Sequence, residues 1–185
     1  MANKQALREL QSRLAERLQA ARTQPRGQSW LAVECSGRGF LLPLREAGEI
    51  FALAPILPVP YSQRWFLGVA NLRGHLHGVV DLAGFIGVKT NEAGREQSRL
   101  VGFNPVLDLN CVLLVDRLAG LRGADELAAE ALEAGPRPAF VGARLRDASG
   151  RLWQELVLTE LARDEAFLKI VGQRSLHSPT EDKTA

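Results

Sequence analysis

Between Trp30 and Leu158 the chain leaves little room for a long helix. Short apolar runs (WLAVE, FLLPL, FLGVANL, HLHGVVDL, RLVGF, CVLLVD, RLAGLRG, FVGARLR and RLWQELVL) alternate with clusters of Gly, Pro, Asn and Asp. Runs of this length bounded by turn residues read as strands. Many such strands at close spacing, with helical patterns mostly at the ends of the chain, predict an all-β barrel or sandwich.

Several local features sharpen that expectation. WLAVE, a turn over Cys35–Gly39 and FLLPL read as a hairpin, with Pro43 marking an edge or irregular position because proline cannot donate to a ladder. REAGEIF follows and carries Glu49 beside Ile50 and Phe51. APILPVP holds three prolines and reads as an extended connector. WFLGVANLRGHLHGVVDL reads as a tight hairpin turning at Gly74, and AGFIG is long enough for only a turn or two of helix. RLVGF and CVLLVD are two more strands, separated by a turn containing Pro105. Residues 123–138 are rich in Ala, Glu and Pro and read as part helix, part loop. FVGARLR, the turn DASG and RLWQELVL form a last hairpin, with Asp147 and Gly150 in type I turn positions. TELARDEAFLKI reads as a short closing helix.

The ends differ in character. Leu7, Leu10, Leu14, Leu18 and Ala21 recur at spacings of three and four, which predicts an amphipathic helix over residues 1–25, ended by Pro25 and Gly27. A tail from residue 172 to 185 is polar and is expected to be disordered. The folded domain is therefore expected over 29–171. The start MANKQALREL has no apolar run, and no stretch reaches the ~20 residues of a membrane helix. A soluble, cytoplasmic protein without membrane insertion is expected.

Chemistry is sparse. The formal net charge is +2, too small to indicate nucleic acid. Trp65, Phe66 and Arg64 make one aromatic–basic cluster, not the platform that a nucleic-acid-binding barrel needs. The two cysteines, Cys35 and Cys111, lack CxxC spacing and read as small core residues. His75 and His77 share a strand face, but Asp81 is the nearest further ligand and a metal site needs three or four. Ser36 and Ser62 lack nucleophile-elbow geometry, and no phosphate-cradling glycine motif occurs. Asp125 and Glu126 read as solvated. No catalytic residue, cofactor or metal is expected. The competing readings are a nucleic-acid-binding barrel and a hydrolase using His75, His77 or Asp81.

FLGVANLRGHLHGVVDLAGFIG resembles the signature of the CheW family, in which Gly-Val leads to Asn-Leu-Arg-Gly and then to a strand ending in Val-Asp-Leu. FLLPLREAGEIF resembles the family's second strand and the segment after it, RLVGF with CVLLVDRLAGL its later strand pair, and FVGARLRDASGRLWQELVL its final hairpin. The resemblance implies two packed SH3-like five-stranded β-barrels without an active site. It implies an adaptor that links the cytoplasmic tip of a methyl-accepting chemoreceptor to the regulatory CheW-like domain of a CheA-type histidine kinase, recruited to membrane-associated receptor arrays. The leading helix, the QSW entry, EAGEI and DEAFLKI are similar to the branch that serves the chemosensory pathway of type IV pili and twitching motility; flagellar or other chemotaxis arrays are the alternative.

The same resemblance places Arg73, Glu49, Ala47, Val69, Asn71 and Leu72 at a receptor-binding groove between the barrels. Arg73 and Glu49 are expected to meet across the fold. Ala47 stands where the family carries a larger aliphatic residue. On physical grounds Gly74 serves the turn, Asn71 satisfies its backbone, and Asp81 caps the turn that follows. If the Arg73–Glu49 pair were buried, loss of either partner would cost ~3–5 kcal/mol, and Arg73 would brace the two barrels rather than touch a receptor.

Overall fold

The computed structural model describes residues 27–88, 97–131 and 135–172. The helix expected over 1–25, most of the polar loop after Val88 and the tail beyond Gly172 lie outside these residues.

Among the described residues eleven strands form two sheets. β1 (Ser29–Cys35), β2 (Arg38–Pro43), β8 (Arg117–Gly123), β9 (Leu127–Glu130), β10 (Val141–Asp147) and β11 (Leu152–Leu156) make the larger, ordered β8-β1-β2-β11-β10-β9. β3 (Ala47–Ala52), β4 (Phe66–Leu72), β5 (His75–Asp81), β6 (Arg99–Phe103) and β7 (Cys111–Val115) make the smaller, ordered β3-β6-β7-β5-β4. Helices α1 (Leu82–Phe85), α2 (Leu158–Leu161) and α3 (Glu165–Leu168) have four residues each.

Each sheet curls around its own apolar interior, and a third core fills the space between them. Trp30, Ala32, Leu41, Leu145 and Trp153 fill the larger barrel. Ala70, Leu72, Val79, Leu100 and Val112 fill the smaller. Between them lie Leu31, Val33, Phe40 and Leu42 from one sheet and Val80, Val101, Phe103 and Leu113 from the other. Strand alternation produces this division. In β1, Trp30 and Ala32 point into the barrel while Leu31, Val33 and Cys35 point across to the partner sheet. Such strands are buried on both faces, so WLAV and CVLLV are unbroken apolar runs.

In β4 the face changes partway. The register shifts between Phe66 and Gly68. Phe66 therefore lies in the inter-barrel core, whereas Ala70 and Leu72, of the same parity, fill the smaller barrel. Gly68 has φ +134, and a Cβ there would sit 2.1 Å from the Leu57 carbonyl oxygen. Only glycine permits that approach. It lets Leu57 and Val69 exchange backbone hydrogen bonds of 2.8 and 2.9 Å, which join the proline-rich connector to the outer edge of β4.

Three expectations change. β2 is an interior strand, not an edge. Pro43 is tolerated because β11 pairs only with Gly39, Phe40 and Leu41, leaving Pro43 opposite Trp30 alone. Residues 127–130, read as helix or loop, form β9 on the outer side of β10, so the larger barrel has six strands rather than five. The closing helix is two helices: Asp164 accepts a hydrogen bond from the Phe167 N–H at 2.9 Å and starts a new one.

Buried carboxylates tie distant segments together. Glu155 accepts from Trp30 Nε1 at 2.7 Å and from the Ala143 N–H at 3.0 Å. Glu34 accepts from Arg117 at 2.7 and 2.8 Å and from Arg151 at 2.7 Å. Glu46 accepts from the Thr159 N–H at 3.0 Å, fastening α2 to the start of β3.

Candidate functional site

The β4–β5 hairpin closes with a two-residue loop, Arg73-Gly74, between paired Leu72 and His75. Both loop residues have positive φ, 52° and 90°. That is the primed-turn geometry that matches strand twist, and Gly74 adopts it without steric cost. Asn71 completes the turn: its Oδ1 accepts from the Gly74 N–H at 2.9 Å.

This turn lifts Arg73 out of the sheet. Its side chain is 74% exposed, and it forms an ion pair with Glu49, which is 43% exposed. The guanidinium also lies 5.9 Å from the centroid of the Phe51 ring. β3 and β4 are opposite edges of the smaller sheet. The pair therefore spans the seam where that sheet curls back on itself. It does not brace one barrel against the other, and the condition for a large burial penalty is not met, because both groups face solvent.

The other residues expected at the site separate. Asn71 is exposed at the tip. Ala47 and Val69 are half-buried and pack against the inter-barrel core. Leu72 is 4% exposed and points into the smaller barrel, so it cannot meet a partner; alternation gives it to the interior once Arg73 turns outward. Asp81 occupies the N-cap position of α1 but makes no side-chain capping bond. Its backbone N–H donates to the Trp65 carbonyl at 2.8 Å, and its carboxylate lies against Gly84, where a Cβ would be 2.9 Å from Oδ2. Phe51 was not foreseen. Its place two residues after Glu49 on one strand was the available signal, since both then face the same way.

The alternative chemistries find little in the geometry. Among the described residues no group of three or more His, Cys, Asp or Glu side chains is placed to hold a metal ion. Burial pushes the Cys35 and Cys111 thiols up to about 12, which keeps them protonated and unreactive. Among the described residues no helix is long and apolar enough to cross a membrane.

Two barrels with three cores, and an exposed Arg–Glu pair at a hairpin tip, describe a binding scaffold. Residues 29–166 match the CheW-like domain family, and the chain belongs to it. That family consists of non-catalytic scaffold and adaptor proteins of chemotaxis-type signalling. The chain is 32% identical over 110 residues to Protein PilI of Pseudomonas aeruginosa, an alignment that covers 60% of this chain and 61% of that protein. Its fold is similar to the crystal structure of the scaffolding protein TtCheW from Thermoanaerobacter tengcongensis, with a TM-score of 0.62 at 17% identity over 74% of this chain and 88% of that one.

Proposed function

We propose that this protein couples the cytoplasmic tip of a methyl-accepting chemoreceptor to the CheW-like regulatory domain of a CheA-type histidine kinase, in the pathway that controls type IV pili and twitching motility. The likeness to Protein PilI supports the choice of pathway. The observation that carries the binding role is the solvent-facing Arg73–Glu49 pair on the Phe51 ring, held out by a rigid two-residue loop. An exposed pair adds little to folding stability, so its charges remain available to a partner. The receptor's helical hairpin would lay its side chains along Arg73, Glu49 and the half-buried Ala47 and Val69. The kinase domain would meet the barrels sheet to sheet. Each contact would bury on the order of 800 Å² per partner or less, as reversible signalling complexes do. The assembly would sit in membrane-associated receptor arrays.

Calorimetry of the full chain against a receptor-tip fragment and against the kinase regulatory domain of the same organism tests this. Binding to both is expected, with Arg73→Ala weakening the receptor fragment about fivefold or more and leaving the kinase domain unaffected. Heat from neither titration overturns the reading.

A further inference from the structure

A second groove opens where the inter-barrel core reaches the surface at the start of β2. Ala47 and Glu49 lie beyond the other end of that strand, and none of the residues discussed at the hairpin tip lines the groove. Its floor is aromatic and aliphatic, built from Phe40, Phe85, Ile86, Phe140 and Leu156. Its volume is about 1010 Å³. That is at the upper end of small-ligand sites, and it equals the volume of roughly two turns of helix with side chains.

The rim is basic. Among the described residues, Arg38, Arg144 and Arg151 border the groove, against a single carboxylate, Asp164. Asp164 is engaged by the Phe167 N–H. Arg151 is engaged by Glu34 and stacks 4.6 Å from the Trp153 ring. Arg38 and Arg144 form no ion pair among the described residues. Arg38, and Arg144 with Glu130 opposite it on β9, therefore flank an apolar floor.

The backbone around the groove is already satisfied. β2 and β11 are interior strands. On β10, the Val141 N–H is taken by Pro138, the Ala143 N–H by Glu155, and the Gly142 and Ala143 carbonyls by Gln154. Among the described residues that line the groove, no strand edge remains for an extended peptide to pair with. An occupant must satisfy its own backbone, which means a helix. The chain's own first 26 residues are unsuited: they carry six Lys and Arg against two Glu, and would be repelled by the rim.

We propose that this groove docks an acidic amphipathic helix of a partner protein, with apolar residues at i, i+4 and i+7 against Phe40, Phe85 and Phe140 and carboxylates facing Arg38 and Arg144. The site is separate from the Arg73 tip, and its occupancy does not depend on the receptor–kinase reading.

The test uses a labelled synthetic helical peptide of two to three turns, with Leu and Phe at those spacings and Glu elsewhere, and a control with Lys in place of Glu. Binding to the full chain is read by fluorescence anisotropy. The Glu peptide should bind and the Lys peptide should not. Arg38→Glu should weaken binding at least about tenfold at unchanged melting temperature, because the reversal sets like charges together. Ile86→Glu, which places a carboxylate on the floor, should also weaken binding. Arg73→Ala should leave the affinity unchanged. Absence of binding, equal binding of both peptides, loss of binding in Arg73→Ala, or a dimer in which a second copy covers the groove would each overturn the proposal.

Discussion

Replacing Arg73 by Ala separates a brace from a contact by magnitude. The variant removes one exposed ion pair and one cation–ring contact. Exposed pairs contribute ~0.2–1 kcal/mol, and cation–π contacts at exposed sites ~0.5–1 kcal/mol. The total loss should therefore stay below about 2 kcal/mol, and for a chain of this length each kcal/mol lowers Tm by about 2–4 °C. A double-mutant cycle with Glu49→Ala isolates the pair. Its coupling energy, from urea unfolding, should be ~0.2–1 kcal/mol and should shrink as salt is raised, because both groups are in water. A coupling of 3 kcal/mol or more, insensitive to salt, would mean that the pair is desolvated in solution, on the scale of ~3–5 kcal/mol for a broken buried pair. That result would refute the argument that Arg73 is free to serve a partner.

Gly68→Ala should cost on the order of 3 kcal/mol, since it adds strain at φ +134 and a clash with the Leu57 carbonyl; a urea midpoint close to that of the wild type would contradict the described closure of the smaller barrel. Burial raises the pKa of Glu34, but hydrogen bonds and charge from Arg117 and Arg151 outweigh it and leave the carboxyl below its ordinary value. Its stabilising contribution is then complete above the unfolded carboxylate range and is lost as pH falls through the lower folded value. Glu34→Gln should therefore narrow the stability difference between neutral and acidic pH, and an unchanged pH profile from chemical unfolding would count against the network. With their pKa raised to about 12, Cys35 and Cys111 should not react with a thiol reagent at pH 8 until the protein is unfolded; rapid labelling of the native protein would show that these strands open.

The strands were legible wherever alternation or a turn residue marked them. FLGVANLRGHLHGVVDL carries its own turn, and the ladder from Phe66↔Val80 to Leu72↔His75 follows from it. The parallel pairings of β5 with β7 and of β2 with β11 were not legible, because they join segments without a shared turn. LAAE reads as helix by composition, yet it lies on the outside of β10, where an Arg146–Glu130 ion pair accompanies the ladder. Tertiary pairing overrides local propensity there. At the candidate site the resemblance brought Arg73 and Glu49 together, but their exposure depended on which way the sheet closes. The groove rimmed by Arg38 and Arg144 draws on widely separated segments, and no motif announces it.

The nesting of one barrel inside the sequence of the other has a consequence for how the molecule is made. The smaller barrel is one uninterrupted stretch, Ala47 to Val115, inserted between the first two strands of the larger and the last four. It can close on a ribosome as soon as that stretch has emerged. The larger barrel cannot, because β11 must wedge between β2 and β10. Such long-range pairing is slow. Until β11 arrives, one flank of β2 remains an unpaired edge carrying Phe40 and Leu41, a surface that chaperones bind and that aggregates form on. Truncation before Leu152 should thus leave a folded inner barrel attached to a sticky, half-built outer one.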